Sequence, residues 1–123
     1  MLSAQGLMKS YGNQKILADV ILDLEKGEII SVVGSSGSGK TTLLRLISGL
    51  EKPDSGQIIL NNKVLNGGNT FTPPEKRDCS LVFQDYALFP NMSVQQNIYF
   101  GKNSVNNKKN IDQLIQITGI ANI

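Results

Sequence analysis

The sequence predicts an α/β fold in which an antiparallel β layer precedes a strand, a glycine-rich loop and a helix. The run Ile29 to Val33 is continuously apolar except for Ser31 and has the length of a strand, which suggests burial on both faces. Residues Gly34 to Thr42 follow it directly and read GSSGSGKTT. Then Leu43, Leu46, Ile47 and Leu50 recur at helical spacing, with Gly49 as a stop and Pro53 shortly beyond.

The remaining elements follow in order. Leu2 to Tyr11 and Ile16 to Leu24 alternate in part around Gly12-Asn13, an antiparallel pair. Lys26-Gly27 turns the chain into the 29–33 strand. After the helix, Asp54-Ser55-Gly56 leads into the strand Gln57 to Leu60, which Asn61-Asn62 returns as Lys63 to Leu65. Asn66 to Pro74 (NGGNTFTPP) reads as an irregular loop, and Cys79 to Phe83 as a second buried strand, followed by a loop from Gln84 to Asn91. Ser93 and Gln96 form a capping box opening a short helix that Gly101 ends. Lys102 to Asn110 is a polar linker, and Ile111, Leu114, Ile115 and Thr118 share one face of a last helix closed by Gly119. The expected organisation is one partial domain: 1–65 with the β layer, glycine loop and first helix, 66–101 with the second strand and short helix, and 102–123 with the linker and last helix.

The glycine loop carries the chemistry. Its pattern, G-x-x-x-x-G-K-[ST], is that of a phosphate-binding loop, so the chain is expected to bind a nucleoside triphosphate. Gly34, Ser35, Ser36, Gly37, Ser38 and Gly39 form the cradle, in which glycines let backbone N–H groups turn inward where a Cβ would collide with the ligand. Lys40 would contact the β- and γ-phosphates, and the Thr41 hydroxyl Mg²⁺. The helix that opens there adds the positive end of its dipole.

Bulk properties exclude several classes. In 123 residues, 12 Lys and Arg against 10 Asp and Glu leave a net charge of +2, too small an imbalance to argue for nucleic acid. The single Cys79 allows no internal disulfide and fits a reducing compartment. Neither a long apolar run nor a secretory signal is present, so work at a membrane would need another chain as anchor.

Three stretches resemble one family: KSYG from Lys9, EIISVVGSSGSGKTTLLRLISGLEKPDSG from Glu28, and PPEKRDCSLVFQDYALFPNMSVQQNIYFG from Pro73. They are similar to the ATP-binding subunits of ATP-binding-cassette (ABC) transporters, in the importer branch serving ferric iron, sulfate, polyamines and maltose, over roughly Leu7 to Gly101. The resemblance implies a P-loop NTPase core and ATP with Mg²⁺ as ligands. It makes Tyr11 the aromatic that stacks on adenine, keeps Lys40, Thr41 and Thr42 on phosphate and Mg²⁺, and makes Gln84 the Q-loop glutamine that reaches Mg²⁺ and the attacking water. The amide of Gln84 can donate and accept, which suits both contacts. The apolar Tyr86 to Pro90 segment lies where the family receives its transmembrane permease subunits, giving Gln84 to Asn91 as the expected contact region. A second ATP-binding subunit, docked head to tail, and a place on the cytoplasmic face of the plasma (inner) membrane follow from the same resemblance.

The family's second half is not found in these residues. There is no LSGGQ-type signature, no Walker B strand ending in Asp-Glu, and no histidine to act as a switch. Asp23 and Asp85 follow apolar runs, yet neither precedes the needed glutamate. The expectation is a truncated subunit that does not hydrolyse ATP alone, since clamping the transferring phosphoryl needs metal, base and partner donors together. In the resembling fold later strands flank 29–33 and 79–83, so both would lack sheet neighbours. The alternative is a non-catalytic nucleotide-binding fragment or regulatory remnant. A small kinase with the same loop would need an acceptor-binding lid, and no such segment is visible.

Overall fold

The structure, a computed structural model, describes residues 1–85, 87–101 and 107–120. They belong to two compact units, Met1–Val82 and Phe83–Ile123.

The first unit is built on a five-stranded antiparallel sheet of order β2-β1-β3-β4-β5. β1 (Leu2–Tyr11) and β2 (Gln14–Leu24) close around the expected Gly12-Asn13 turn, with Tyr11 opposite Gln14 and Leu2 opposite Leu24. Their register shifts between Ala4 and Leu7, beside the left-handed Gly6 and Asp19, so β1 bends over its second half. That bend carries the end of β1 to the segment after the first helix. The Asp54 N–H donates to the Met8 carbonyl at 2.9 Å, and the Ser10 N–H to Asp54 Oδ2 at 2.7 Å.

The helix α1 (Lys40–Ser48) starts and stops where its glycines predict. Gly49 takes a left-handed conformation (φ 83°) and its N–H reaches the Leu46 carbonyl at 3.2 Å. Leu43 and Leu46 enter one core with Leu2, Ala4, Leu7, Leu17, Ile58 and Leu65, so the helix lies on one face of the sheet. Full burial of Leu7, Leu46, Ile58 and Leu65 stabilises the unit by about 1.5–3 kcal/mol each. Leu50, expected on the same face, is 45% exposed because Gly49 has already ended the helix.

β3 (Ser55–Leu60) and β4 (Lys63–Gly67) form the expected hairpin. Asn61 and Asn62 both have positive φ, the requirement of a tight hairpin turn whose twist matches the strands. The irregular loop expected from Asn66 is corrected: β4 runs to Gly67, and a short β5 (Thr70–Phe71) pairs back across Gly68-Asn69. A 3₁₀ turn over Pro74–Lys76 follows.

Neither expected buried strand forms. Ile29 is 91% exposed, Val33 89% and Val82 92%, and no ladder includes 29–33 or 79–83. An apolar run becomes a strand only where neighbours pair its N–H and C=O groups and layers cover its faces. Among the described residues the antiparallel strands pair only with one another, and neither segment joins them.

The second unit holds α2 (Val94–Ile98) and α3 (Lys108–Thr118). Both arms of the capping box are present: the Gln96 N–H donates to Ser93 Oγ at 3.2 Å, and the Ser93 N–H to Gln96 Oε1 at 2.8 Å. The helix ends at Tyr99 rather than at Gly101. Lys108 to Asn110, expected in the linker, form the first turn of α3, since the polar composition that suggests a linker does not oppose helix. Linker residues 102–106 lie outside the described residues. On α3 Ile111 and Ile115 are half-buried, whereas Leu114 is 59% exposed, and Gly119 closes the helix in the left-handed region as expected.

Candidate functional site

The loop Gly34 to Thr42 ends on a helix whose start is left open. Gly39 is the N-cap, with φ 90° and no side-chain cap, and the first turn carries no acidic residue. The first N–H groups of an α-helix have no intrahelical partner, so here they face outward as donors beside the positive end of the dipole. A side chain at Gly39 would fail twice: φ is left-handed, and a Cβ would sit 2.7 Å from Leu17 Cδ2 and 3.1 Å from the Ile16 carbonyl. The antiparallel layer therefore presses directly on the neck of the loop.

Lys40 folds into its own loop. Its ammonium donates to the carbonyls of Gly34 at 2.8 Å and Ser35 at 2.7 Å, and lies 3.4 Å from Ser38 Oγ. The Ser38 N–H closes a turn on the Ser35 carbonyl at 3.3 Å. Ser35, Ser36, Gly37 and Thr41 are exposed, and Thr42 is half-buried. The lysine ammonium, the uncapped N–H donors of the helix start and the hydroxyls of Ser35, Ser36 and Thr41 thus lie on one short stretch of chain, a donor set that fits a phosphate chain. Among the described residues no group of three His, Cys, Asp or Glu could hold a metal. A bound Mg²⁺ would take ligands from phosphate and water, with hydroxyl or amide groups of the chain completing its shell.

Tyr11, at the end of β1, is brought to the same region. The residue is 46% exposed, its phenol donates to Glu51, and the Lys9 ammonium lies 5.5 Å from the ring centroid. The hydrogen bond to Glu51, then burial, raises its pKa, while the Thr42 hydroxyl beside it acts the other way. Gln84 belongs to the second unit and is exposed in a turn. Leu88 and Phe89 of the same loop are also exposed, and Tyr86 lies outside the described residues.

Three residues that organise these segments escaped the sequence reading. Glu51 anchors Tyr11. Arg77 closes the end of α1 on the carbonyls of Leu46 and Ile47. Asn97 holds the loop after Gln84, accepting from the Phe89 N–H at 2.8 Å and donating to the carbonyls of Phe89, Met92 and Ser93. Glu51 reaches Tyr11 across 40 residues of chain, Arg77 reaches Leu46 across 31 and Asn97 reaches Phe89 across 8, separations on which hydrophobic periodicity gives no signal.

Comparison with known proteins shows the family to which the sequence and fold belong. The spermidine/putrescine import ATP-binding protein PotA of Methylococcus capsulatus is 48% identical over 99 residues, covering 80% of this chain and 25% of that protein. The protein of the same name from Legionella pneumophila (strain Paris) is 48% identical over 100 residues, covering 81% and 26%. The chain thus spans about a quarter of the length of these curated relatives. Among solved structures, the dimeric bacterial ABC transporter cassette MJ0796 superposes with a TM-score of 0.66 at 27% identity, over 81% of this chain and 46% of that one. Its post-hydrolysis state, bound to ADP and Pi, gives 0.62 at 27% identity, over 80% and 45%. The sequence model of one family, described as ABC transporter, matches residues 17–123, well over half of the chain, and the chain belongs to that family.

Proposed function

We propose that this chain is the ATP-binding part of the energising ATPase of an ABC importer. The observation that carries the reading is the loop Gly34 to Thr42, where the Lys40 ammonium lies on the Gly34 and Ser35 carbonyls beside the uncapped start of α1. In this reading the β- and γ-phosphates draw Lys40 away from those carbonyls and take the N–H groups of the cradle. Thr41 and Thr42 would offer hydroxyls to Mg²⁺ and phosphate, and Gln84, in the second unit, would offer its amide to Mg²⁺ and the attacking water. Bound Mg²⁺ would neutralise charge building on the phosphate oxygens. Tyr11 stacks on the adenine ring, giving desolvation and dispersion with little discrimination among purines. The importer branch is supported by the 48% identity to spermidine/putrescine import proteins.

The loop from Gln84 to Asn91 is proposed as the contact with transmembrane permease subunits, supported by Leu88 at 69% and Phe89 at 41% exposure. No helix among the described residues is long and apolar enough to cross a membrane, which suits a subunit held at the cytoplasmic face by such partners. A second ATP-binding subunit would supply the donors that close over the γ-phosphate, a proposal supported by the dimeric cassette. Without those donors and Walker B carboxylates, the 123 residues alone bind ATP and do not turn it over.

Titration with a fluorescent ATP analogue tests the reading. Lys40→Ala removes a charge-assisted contact worth about 1.5–3 kcal/mol, or about ten- to a hundredfold in affinity. Unchanged affinity would overturn the assignment.

A further inference from the structure

We propose that Glu51 is a positioning residue that holds the Tyr11 ring for stacking and so makes the site favour triphosphates that carry a base. The inference rests on the reading of Tyr11 as the base-stacking residue.

Stacking requires only the ring, yet here the phenol tip is engaged. It donates to Glu51 Oε2, while Glu51 Oε1 accepts from Arg45 Nη1 at 3.4 Å and the Glu51 N–H donates to the Arg45 carbonyl at 3.2 Å. Glu51 is therefore held to α1 by its backbone and its side chain. One face of the ring is held as well: the Lys9 ammonium stands 5.5 Å from its centroid and is itself fixed by the Lys52 carbonyl at 2.8 Å and by Asp54 at 3.6 Å. Every tether of this exposed ring leads to the segment 51–54 or to α1.

The same helix thus carries the cradle at its first turn and, through Arg45 in its last turn and Glu51, the tether of the ring. An exposed ring with no tether would lose rotamer freedom on stacking, and that cost would weaken binding of the base alone. A triphosphate lacking a base would not feel it. Glu51 is also paired with Arg45 at 3.4 Å, which offsets part of its charge.

Isothermal titration of the protein with Mg²⁺-ATP and with Mg²⁺-tripolyphosphate separates these effects. Glu51→Ala and Tyr11→Phe should each weaken ATP by about two- to tenfold, leave tripolyphosphate unchanged, and give no further loss when combined. Glu51→Gln, which still accepts from the phenol, should restore most of the ATP affinity. Tyr11→Ala should weaken ATP more than either. Unchanged ATP affinity in Glu51→Ala, with loss in Tyr11→Ala, would overturn the role of Glu51 and leave the stacking reading standing. Unchanged affinity in Tyr11→Ala would overturn the stacking reading itself. Equal losses for both ligands in Glu51→Ala would reduce Glu51 to a structural residue and overturn the proposal.

Discussion

Arg77 Nη1 donates to the carbonyl of Leu46 at 2.9 Å, so a side chain from beyond the sheet closes the C-terminal end of α1. The same nitrogen reaches the Ile47 carbonyl at 2.7 Å, and Nε reaches that of Thr72 at 2.7 Å. Helix ends leave carbonyls unpaired and carry partial negative charge, so a guanidinium satisfies both needs. Burial lowers the pKa of Arg77, yet a guanidinium stays charged at neutral pH. Gly49 makes room for it: a Cβ there would lie 2.7 Å from Arg77 Cζ.

Replacing Arg77 by Ala should therefore lower stability by about 1.5–3 kcal/mol, since it leaves buried carbonyls without a charged donor. Gly49→Ala should also destabilise, by at least about 1 kcal/mol, through its left-handed φ and its clash with the guanidinium. Urea unfolding followed by circular dichroism reads both. A midpoint unmoved in Arg77→Ala would show that the clamp contributes nothing.

Asn97 is predicted to hold the loop that follows Gln84. Asn97→Ala removes its bonds with Phe89, Met92 and Ser93 and should cost the loop about 1 kcal/mol or more. The Phe89 amide should then exchange its hydrogen faster, while amides of the first unit keep their rates. Unchanged exchange at Phe89 would refute this.

Both described tyrosines should titrate late. The hydrogen bond to Glu51 raises Tyr11, and that to Asp112 raises Tyr99, each above the ordinary 10.0. A folded pKa above the unfolded one means that the contribution to stability is complete below pH 10 and is lost as pH rises through the folded value. Phenolate absorbance against pH is the measurement, and Glu51→Ala or Asp112→Ala should each return one phenol to the ordinary range. Titration of the unsubstituted chain with every phenol at 10.0 would contradict the hydrogen bonds.

The segments 29–33 and 79–83 should make the 123-residue chain associate. Ile29, Val33 and Val82 are each about nine-tenths exposed on stretches without sheet partners, surface that favours contact with other chains. Size-exclusion chromatography should show oligomers, and thermal melts only a weak shift with ATP and Mg²⁺. Val33→Lys combined with Val82→Lys should move the population toward monomer. A clean monomer with one sharp, strongly ATP-shifted transition in the unsubstituted chain would sink this prediction.

Residue type alone settled several features that depend on neighbours within a few positions. Gly39 and Gly49 bracket α1, Gly12-Asn13 and Asn61-Asn62 turn two hairpins, and Ser93 with Gln96 caps α2. The phosphate-binding pattern at Gly34 to Thr42 was legible for the same reason, because a cradle of N–H groups and one lysine is built from consecutive residues. Only the tertiary structure decided what the apolar runs do and what holds the site. Ile29 to Val33 and Cys79 to Phe83 have strand composition, but strand formation needs hydrogen-bond partners elsewhere in the chain, and hydrophobicity does not say whether they are there. The tether from Tyr11 to Glu51 and the clamp from Arg77 to Leu46 are likewise single side chains meeting distant backbone or carboxylate, set by how the sheet bends and where α1 ends, and the brace from Asn97 to Phe89 depends on how the loop folds back on α2.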